Sequence, residues 1–396
     1  MSNIPKLRFP EFSGEWEEKR IDSIFDEKKE KNHPSEEVLT IIQGTGTVPR
    51  KESGRNIIFD EKSLSNYKFV QKDDFIIHLR SFEGGLEIAN SNGIVSPAYI
   101  IMHPKLSIAS KFYYSYFRSY KFINHVLPVS VEGVRDGRQI KYPILKEEKI
   151  PFTSFGEQQK IADFLSNVDS IITAETKILK TLQKKKKALM QKLFTQQLRF
   201  KSADVTDFPA WEERKLGEIS SSPKYGLNAS GIDYDGEHKY LRITDIDEVT
   251  HTFSPEEITT PSEFSDDYLL EENDIVFART GASTGKTYLY NPNDGDLYFA
   301  GFLIKFHIKD ANARFVFYQT CTHEYEKWVH VMSTRSGQPG INSEEYSTLK
   351  IKLPCIEEQQ KIADCLSSMD SLIQTQQKVV TTWQQRKKAL LQQMFI

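Results

Sequence analysis

The chain has 396 residues, 38% hydrophobic, 12% aromatic and 27% charged, with 52 Lys and Arg against 55 Asp and Glu for a formal charge of −3. That length predicts two or three domains, and the composition excludes both a disordered polar chain and a membrane bundle. The near-neutral balance gives no global attraction for a polyanion, so any nucleic-acid role has to come from local basic patches.

No apolar run approaches the roughly 18 residues of a spanning helix, and the first residues lack the apolar core of a secretory signal. A cytoplasmic chain with no membrane partner is expected. Three cysteines, Cys321, Cys355 and Cys365, cannot build a disulfide framework and offer no paired spacing for zinc.

In chain order, Leu7-Arg-Phe9 and Glu15-Trp-Glu-Glu18 open a first block, residues 1–150. Asp74–Ile77 and Gly93–Ile101 are β-branched and aromatic runs punctuated by turn residues, which predicts strands. Ala109–Asn124 has helical spacing and is expected to cover the sheet. Residues 151–200 then carry Ile161, Leu165, Val168, Ile172, Leu179, Leu182, Leu189 and Leu193 on alternating steps of four and three, a heptad seam. Polar Glu175 and Lys186 interrupt it. With no Pro or Gly from Glu157 to Phe200, a helix of about 38 residues and about 57 Å is predicted.

The pattern then repeats. Leu198-Arg-Phe200 and Trp211-Glu-Glu213 echo the opening, and Asp274–Phe277, Ala300–Phe306 and helical Ala311–Val331 fill a second block, residues 201–353. Glu157–Ser166 returns as Glu358–Ser367 with one of ten positions changed. A second seam over residues 354–396 runs through Ile362, Leu366, Met369, Ile373, Val380, Trp383, Leu390 and Met394, with polar breaks at Gln376 and Lys387. Neither stripe can be buried within its own block. The expected fold is therefore α+β: two tandem mixed globular domains, each followed by a long helix, the two helices pairing as an antiparallel coiled coil.

Chemistry is sparse. Arg279-Thr-Gly-Ala-Ser-Thr-Gly-Lys-Thr287 imitates a phosphate-binding loop but has three residues between Gly281 and Gly285 where four are needed to wrap phosphates. A Gly-rich turn beside Arg279 and Lys286 could still approach a phosphate backbone, and an ordinary hairpin turn explains the same residues. No cofactor-binding glycine motif, catalytic constellation or metal-ligand spacing is present, and Asn291-Pro-Asn293 lacks the second Pro of a base-methylating loop. His78, His103, His251 and His307 are expected in core or turn roles. Nine basic residues and no acid lie between Lys177 and Lys201, the signature of a solvated helix face. In the blocks, Arg80, Arg135, Arg138, Lys239, Arg242, Arg279, Lys286 and Arg335 fall in Gly-, Tyr- and Gln-containing loops, the chemistry that reads base edges or grips phosphate.

Two unlike blocks, each followed by Glu-Gln-Gln-Lys-Ile-Ala and a long helix, resemble the specificity subunit of type I restriction–modification systems. The resemblance also covers Gly93-Ile-Val-Ser-Pro-Ala-Tyr99, Tyr240-Leu-Arg-Ile-Thr-Asp245 and Pro354 before Glu358. It implies a non-catalytic chain with two target-recognition domains, each reading one half of a bipartite double-stranded DNA site, Tyr240 among the residues at that surface. The helices would fix the spacing and dock two modification (methyltransferase) subunits and, through them, restriction/translocase subunits. S-adenosylmethionine, ATP and Mg are expected only in those partners, so this chain should need no cofactor. The first block has Val38-Leu-Thr-Ile-Ile-Gln43 where the Tyr240 motif should recur, so Arg242 has no counterpart to carry over. A coiled-coil adaptor without DNA readout and a nucleotide hydrolase are the rival classes. The first has no need of loop arginines on diverged domains, and the second needs an intact phosphate loop.

Overall fold

A computed structural model describes residues 3–54, 61–133, 137–334 and 338–395. The chain groups into two compact units, Met1–Ile178 with Gln376–Ile396, and Leu179–Thr375. These bounds differ from blocks drawn at 150, 200 and 353. An unburied helical stripe packs wherever it finds a partner, and each unit accordingly contains part of both long helices, Phe155–Phe194 and Ile356–Met394.

In the first unit a four-stranded antiparallel sheet runs Phe25–Lys28, Ile100–Pro104, Phe75–Ile77, Glu87–Ile88 in spatial order. The second unit repeats it as Lys224–Tyr225, Leu303–His307, Asp274–Ala278, Thr287–Leu289. The run Gly93–Ile101, expected as one strand, is two, Gly93–Val95 and Ile100–Pro104. Pro97 between them has no N–H to continue a ladder. Ala109–Asn124 likewise divides into the helix Ser110–Tyr116 and a wider turn at Phe122–Val126, and Ala311–Val331 into Ala313–Gln319 and His323–Ser333. The second break is fixed by Thr322, whose side chain caps the next helix by accepting from the Tyr325 N–H.

The first long helix runs 40 residues, close to the roughly 38 expected, and stops at Phe194. Gln196 adopts a left-handed φ of 59° and the Leu198 N–H closes on the Lys192 carbonyl at 3.1 Å. Leu198-Arg-Phe200 is thereby freed to open the second copy of the repeat, where Arg199 reaches Glu358.

What holds each unit together is duplicated in detail. Glu157, buried at the start of its helix, accepts from Arg8 Nε at 2.7 Å, Arg8 Nη2 at 2.9 Å, Trp16 Nε1 at 3.1 Å and Thr153 Oγ1 at 2.5 Å. In the second unit Glu358 accepts from Arg199 Nε at 3.1 Å, Arg199 Nη2 at 2.7 Å and Trp211 Nε1 at 3.1 Å. The adjoining Gln158 accepts from the Ala109 N–H and donates to the Thr153 carbonyl, and Gln359 does the same with Asn312 and Pro354. The Glu-Gln pair thus ties the opening segment and the sheet-covering helix to the long helix. That explains why Leu-Arg-Phe, Trp-Glu-Glu and Glu-Gln-Gln recur together.

Within the first unit, Lys387 Nζ meets Asp169 at 2.5 Å and Gln376 Nε2 meets Glu175 at 2.5 Å, so the two helix segments run antiparallel. In the second unit the same repeat positions form Lys186–Asp370 at 2.5 Å. Polar breaks in the seam are therefore filled by partners from the other helix. Of the expected seam, Ile161, Leu165, Val168, Leu179, Ile362, Leu366, Ile373 and Val380 are buried, and Ile172, Leu182, Leu189, Met369, Trp383 and Leu390 are half-buried. Phe395 packs edge-on to Phe112 and Tyr116 in the first core, and its repeat counterpart Phe194 packs with Phe315 and Trp211 in the second.

Candidate nucleic-acid interface

The central strand of each sheet begins at a buried aspartate. Asp74 accepts the Gln71 N–H at 2.8 Å and lies 2.6 Å from His103 Nδ1; Asp274 accepts the Glu271 N–H at 2.9 Å and lies 2.9 Å from His307 Nδ1. The residue before each, Asp73 or Asn273, has a left-handed φ of 74° or 73°. Glu271, Asp274 and His307 bring ligand atoms within 4.8 Å of one another, but Lys305 Nζ stands 3.0 Å from Asp274 and supplies the countercharge. The group is an ion-pair network at the foot of the strand. His251 Nδ1 donates to the Thr287 carbonyl at 3.0 Å, and burial holds the pKa of this histidine below the ordinary value, as it does for His78.

At the other end of the second unit's central strand the chain enters the hairpin that imitates a phosphate loop. Four of its amides are engaged: Gly281 N–H with the Pro339 carbonyl, Thr284 with Gly281, Gly285 with Ala278 and Lys286 with Ser283. Gly285, at φ 91°, lies where a Cβ would strike Val329 at 2.5 Å. Lys286 turns inward, its ammonium 3.1 Å from the Ile246 carbonyl and 3.4 Å from Glu248. Arg279 faces differently. Its Nε donates to the Gly301 carbonyl at 3.0 Å, and its guanidinium lies 5.2 Å from the Tyr225 ring centre and 5.8 Å from that of Phe302. Both rings are exposed, at 40% and 58%.

The remaining expected residues divide. Tyr240 is a correction: it is buried, and its hydroxyl, 2.9 Å from the Leu227 carbonyl and 3.0 Å from that of Ala229, shares one proton between them. It shapes the loop by tying these two carbonyls together. Its strand, Lys239–Leu241, lies parallel to Leu297–Phe299, whereas Leu39–Ile42 in the first unit forms an antiparallel hairpin with Gly46–Pro49. Arg242 is forked onto Asp245 at 2.9 Å twice, and Lys239 donates to the Asp294 carbonyl at 2.5 Å. In the first unit Arg80 is exposed, and Arg138 lies over the Phe82 ring at 4.4 Å. Arg135 and Arg335 lie outside the described residues.

Sequence reasoning missed Tyr225, Phe302 and Leu79, none of which carries a motif. It also missed a cleft of about 450 Å³ in the first unit, lined by Tyr114, Arg118, Lys387 and Lys388. Burial pushes the Cys321 thiol up to about 12, which leaves it unreactive at neutral pH. Among the described residues no helix is long and apolar enough to cross a membrane.

The chain matches the family model of the type I restriction modification DNA specificity domain twice, at residues 13–184 and 210–382. It is 28% identical over 341 residues to the MjaVIII specificity subunit of Methanocaldococcus jannaschii, covering 81% of this chain and 78% of the relative. A putative MjaX specificity subunit of the same organism is 22% identical over 98% of this chain and 95% of its own length. In fold, an S subunit from M. genitalium superposes with a TM-score of 0.57 at 18% identity, over 99% of both chains. A chain from a study of complex assembly in the type I R-M system gives 0.54 at 15% identity, over 95% of this chain and 96% of that one.

Proposed function

This chain belongs to the type I restriction–modification DNA specificity family and is a specificity subunit with two tandem target-recognition domains, and from that premise we propose how its parts divide the work. Each unit reads one half of a bipartite double-stranded DNA site, and the long helices set the separation as an antiparallel coiled coil. The carrying observation is that the buried contacts framing the two sheets are duplicated while the exposed residues at the strand ends differ. A frame repeated around changed contact residues is what two independent readers require.

The chain itself catalyses nothing in this reading. S-adenosylmethionine, ATP and Mg belong to the partner subunits, and the location is the cytoplasm. Two modification subunits dock on the repeated helix starts. The support is that Gln159, Asp163 and apolar Phe155 are exposed and recur as exposed Gln360, Asp364 and Ile356, so the same surface is offered twice. Restriction/translocase subunits join through the modification subunits.

Replacing residues 17–152 by the matching block of a relative should change one half of the recognised sequence only. Methylated-motif sequencing in a host that also carries the modification subunits measures this. A change in both halves would defeat the two-reader proposal.

A further inference from the structure

The residue that leaves the central strand is the point where the two units part company. Pairing of the strands sets the equivalence: Phe75 faces Met102 and Ile77 faces Ile100 in the first sheet, as Ile275 faces Phe306 and Phe277 faces Ile304 in the second. Counting on from Asp74 and Asp274, position five along is Leu79 in one unit and Arg279 in the other. Leu79 is 65% exposed and carries no polar group. Arg279 presents a donor fork from the same place on the same scaffold.

Three features decide what that fork can grip. Its Nε is tied to the Gly301 carbonyl and its plane is flanked by the Tyr225 and Phe302 rings, so the guanidinium is oriented before any ligand arrives. No hydrogen bond engages Nη1 or Nη2 among the described residues, which leaves a parallel pair of donors on a half-buried side chain without a partner. The loop that follows offers less to a phosphate: the amides of Gly281, Thr284, Gly285 and Lys286 are taken by carbonyls, and the Lys286 ammonium is turned inward. A phosphate accepts donors from many directions, whereas a base edge demands an in-plane pair at fixed spacing. Guanine, with O6 and N7 side by side in the major groove, is the base whose acceptors match an arginine fork.

We propose that Arg279 is a specificity-determining residue that reads a guanine in the half-site of the second unit, with Tyr225 and Phe302 holding its guanidinium in plane. This rests on the two-reader function proposed above. Leu79 has no donor with which to make this contact from the equivalent position.

The test uses the full chain assembled with its modification subunits and a library of random DNA duplexes, sequenced after selection. Wild type should return a bipartite motif with a guanine in one half. Arg279→Gln and Arg279→Lys should each relax that single base pair about tenfold or more while every other position is kept. Lysine retains the charge but not the fork, so it separates the two chemistries, and it decides the matter if the glutamine variant fails to assemble. Weakened binding to all sequences with the motif intact would make Arg279 a phosphate contact and overturn the proposal. An unchanged motif at unchanged affinity would overturn it as well. If wild type selects no bipartite motif at all, it is the two-reader function that fails, and the assignment of Arg279 falls with it.

Discussion

The two units agree in the buried contacts that anchor sheet and long helix, and differ at the residues leaving the central strand and in the strands alongside it. Arg8, Trp16 and Glu157 make in the first unit the contacts that Arg199, Trp211 and Glu358 make in the second, and the aspartate–histidine pairs at the strand starts correspond likewise. At the strand ends, Leu79 stands against Arg279, and a hairpin at Leu39–Ile42 stands against a parallel pairing at Lys239–Leu241. A buried carboxylate with three or four donors cannot change one member without stranding the others, so the network is retained as a set. An exposed strand end has no such constraint, and binding chemistry can vary there without endangering the frame.

The sharpest way to break this equivalence is to remove the anchors. Glu157→Ala and Glu358→Ala should each cost about 3 kcal/mol, because the Arg and Trp donors are left without their acceptor in a nearly closed site. Denaturant unfolding measures both. A loss in one unit and none in the other would show that the anchors are not equivalent. Acidity gives a second reading of the first anchor. Burial pushes the Glu157 carboxyl up, but the hydrogen bonds from Arg8, Thr153 and Trp16 hold it below the ordinary glutamate value. A depressed folded pKa stabilises fully above the unfolded value of about 4.3 and is lost as pH falls through the lower folded value. Wild type should therefore lose stability below about pH 4.5 more steeply than Glu157→Gln.

A smaller effect separates frame from reader inside the second unit. Tyr240→Phe removes a hydroxyl proton shared by two carbonyls and should cost about 1 kcal/mol while leaving the recognised sequence unchanged. Arg279→Lys should do the reverse. A motif altered by Tyr240→Phe would place that loop at the DNA after all.

The repeat made the architecture legible from sequence, since a ten-residue near-identity and two seams with matching polar breaks leave few arrangements open. The partners of Lys186 and Lys387 could not be read, because Asp370 and Asp169 lie off the seam. The length of the first long helix was legible but not the residue that stops it, since Gln196 turns left-handed without a residue type that announces it. At the candidate interface, charge in a loop was a poor guide. Arg242, Lys239 and Lys286 are held by neighbouring carbonyls or carboxylates, and only the folded chain shows that Arg279 keeps Nη1 and Nη2 out of any such bond among the described residues.

The finest comparison concerns the two ion pairs that the repeat places in the helix seam. Lys186 and Asp370 have side chains 18% and 32% exposed, while Lys387 and Asp169 are 23% and 48% exposed. Water screens the second pair more, and exposed pairs contribute from nothing to about 1 kcal/mol. Lys186→Met should therefore cost no more than about 1 kcal/mol and Lys387→Met less. Both losses should shrink in high salt, where attraction between partly exposed charges is screened. Apolar replacement is the informative choice, because methionine keeps the stem packed along the seam and removes only the charge. Equal losses that ignore salt would mean that packing of the lysine stems, rather than pairing with the aspartates, holds these positions.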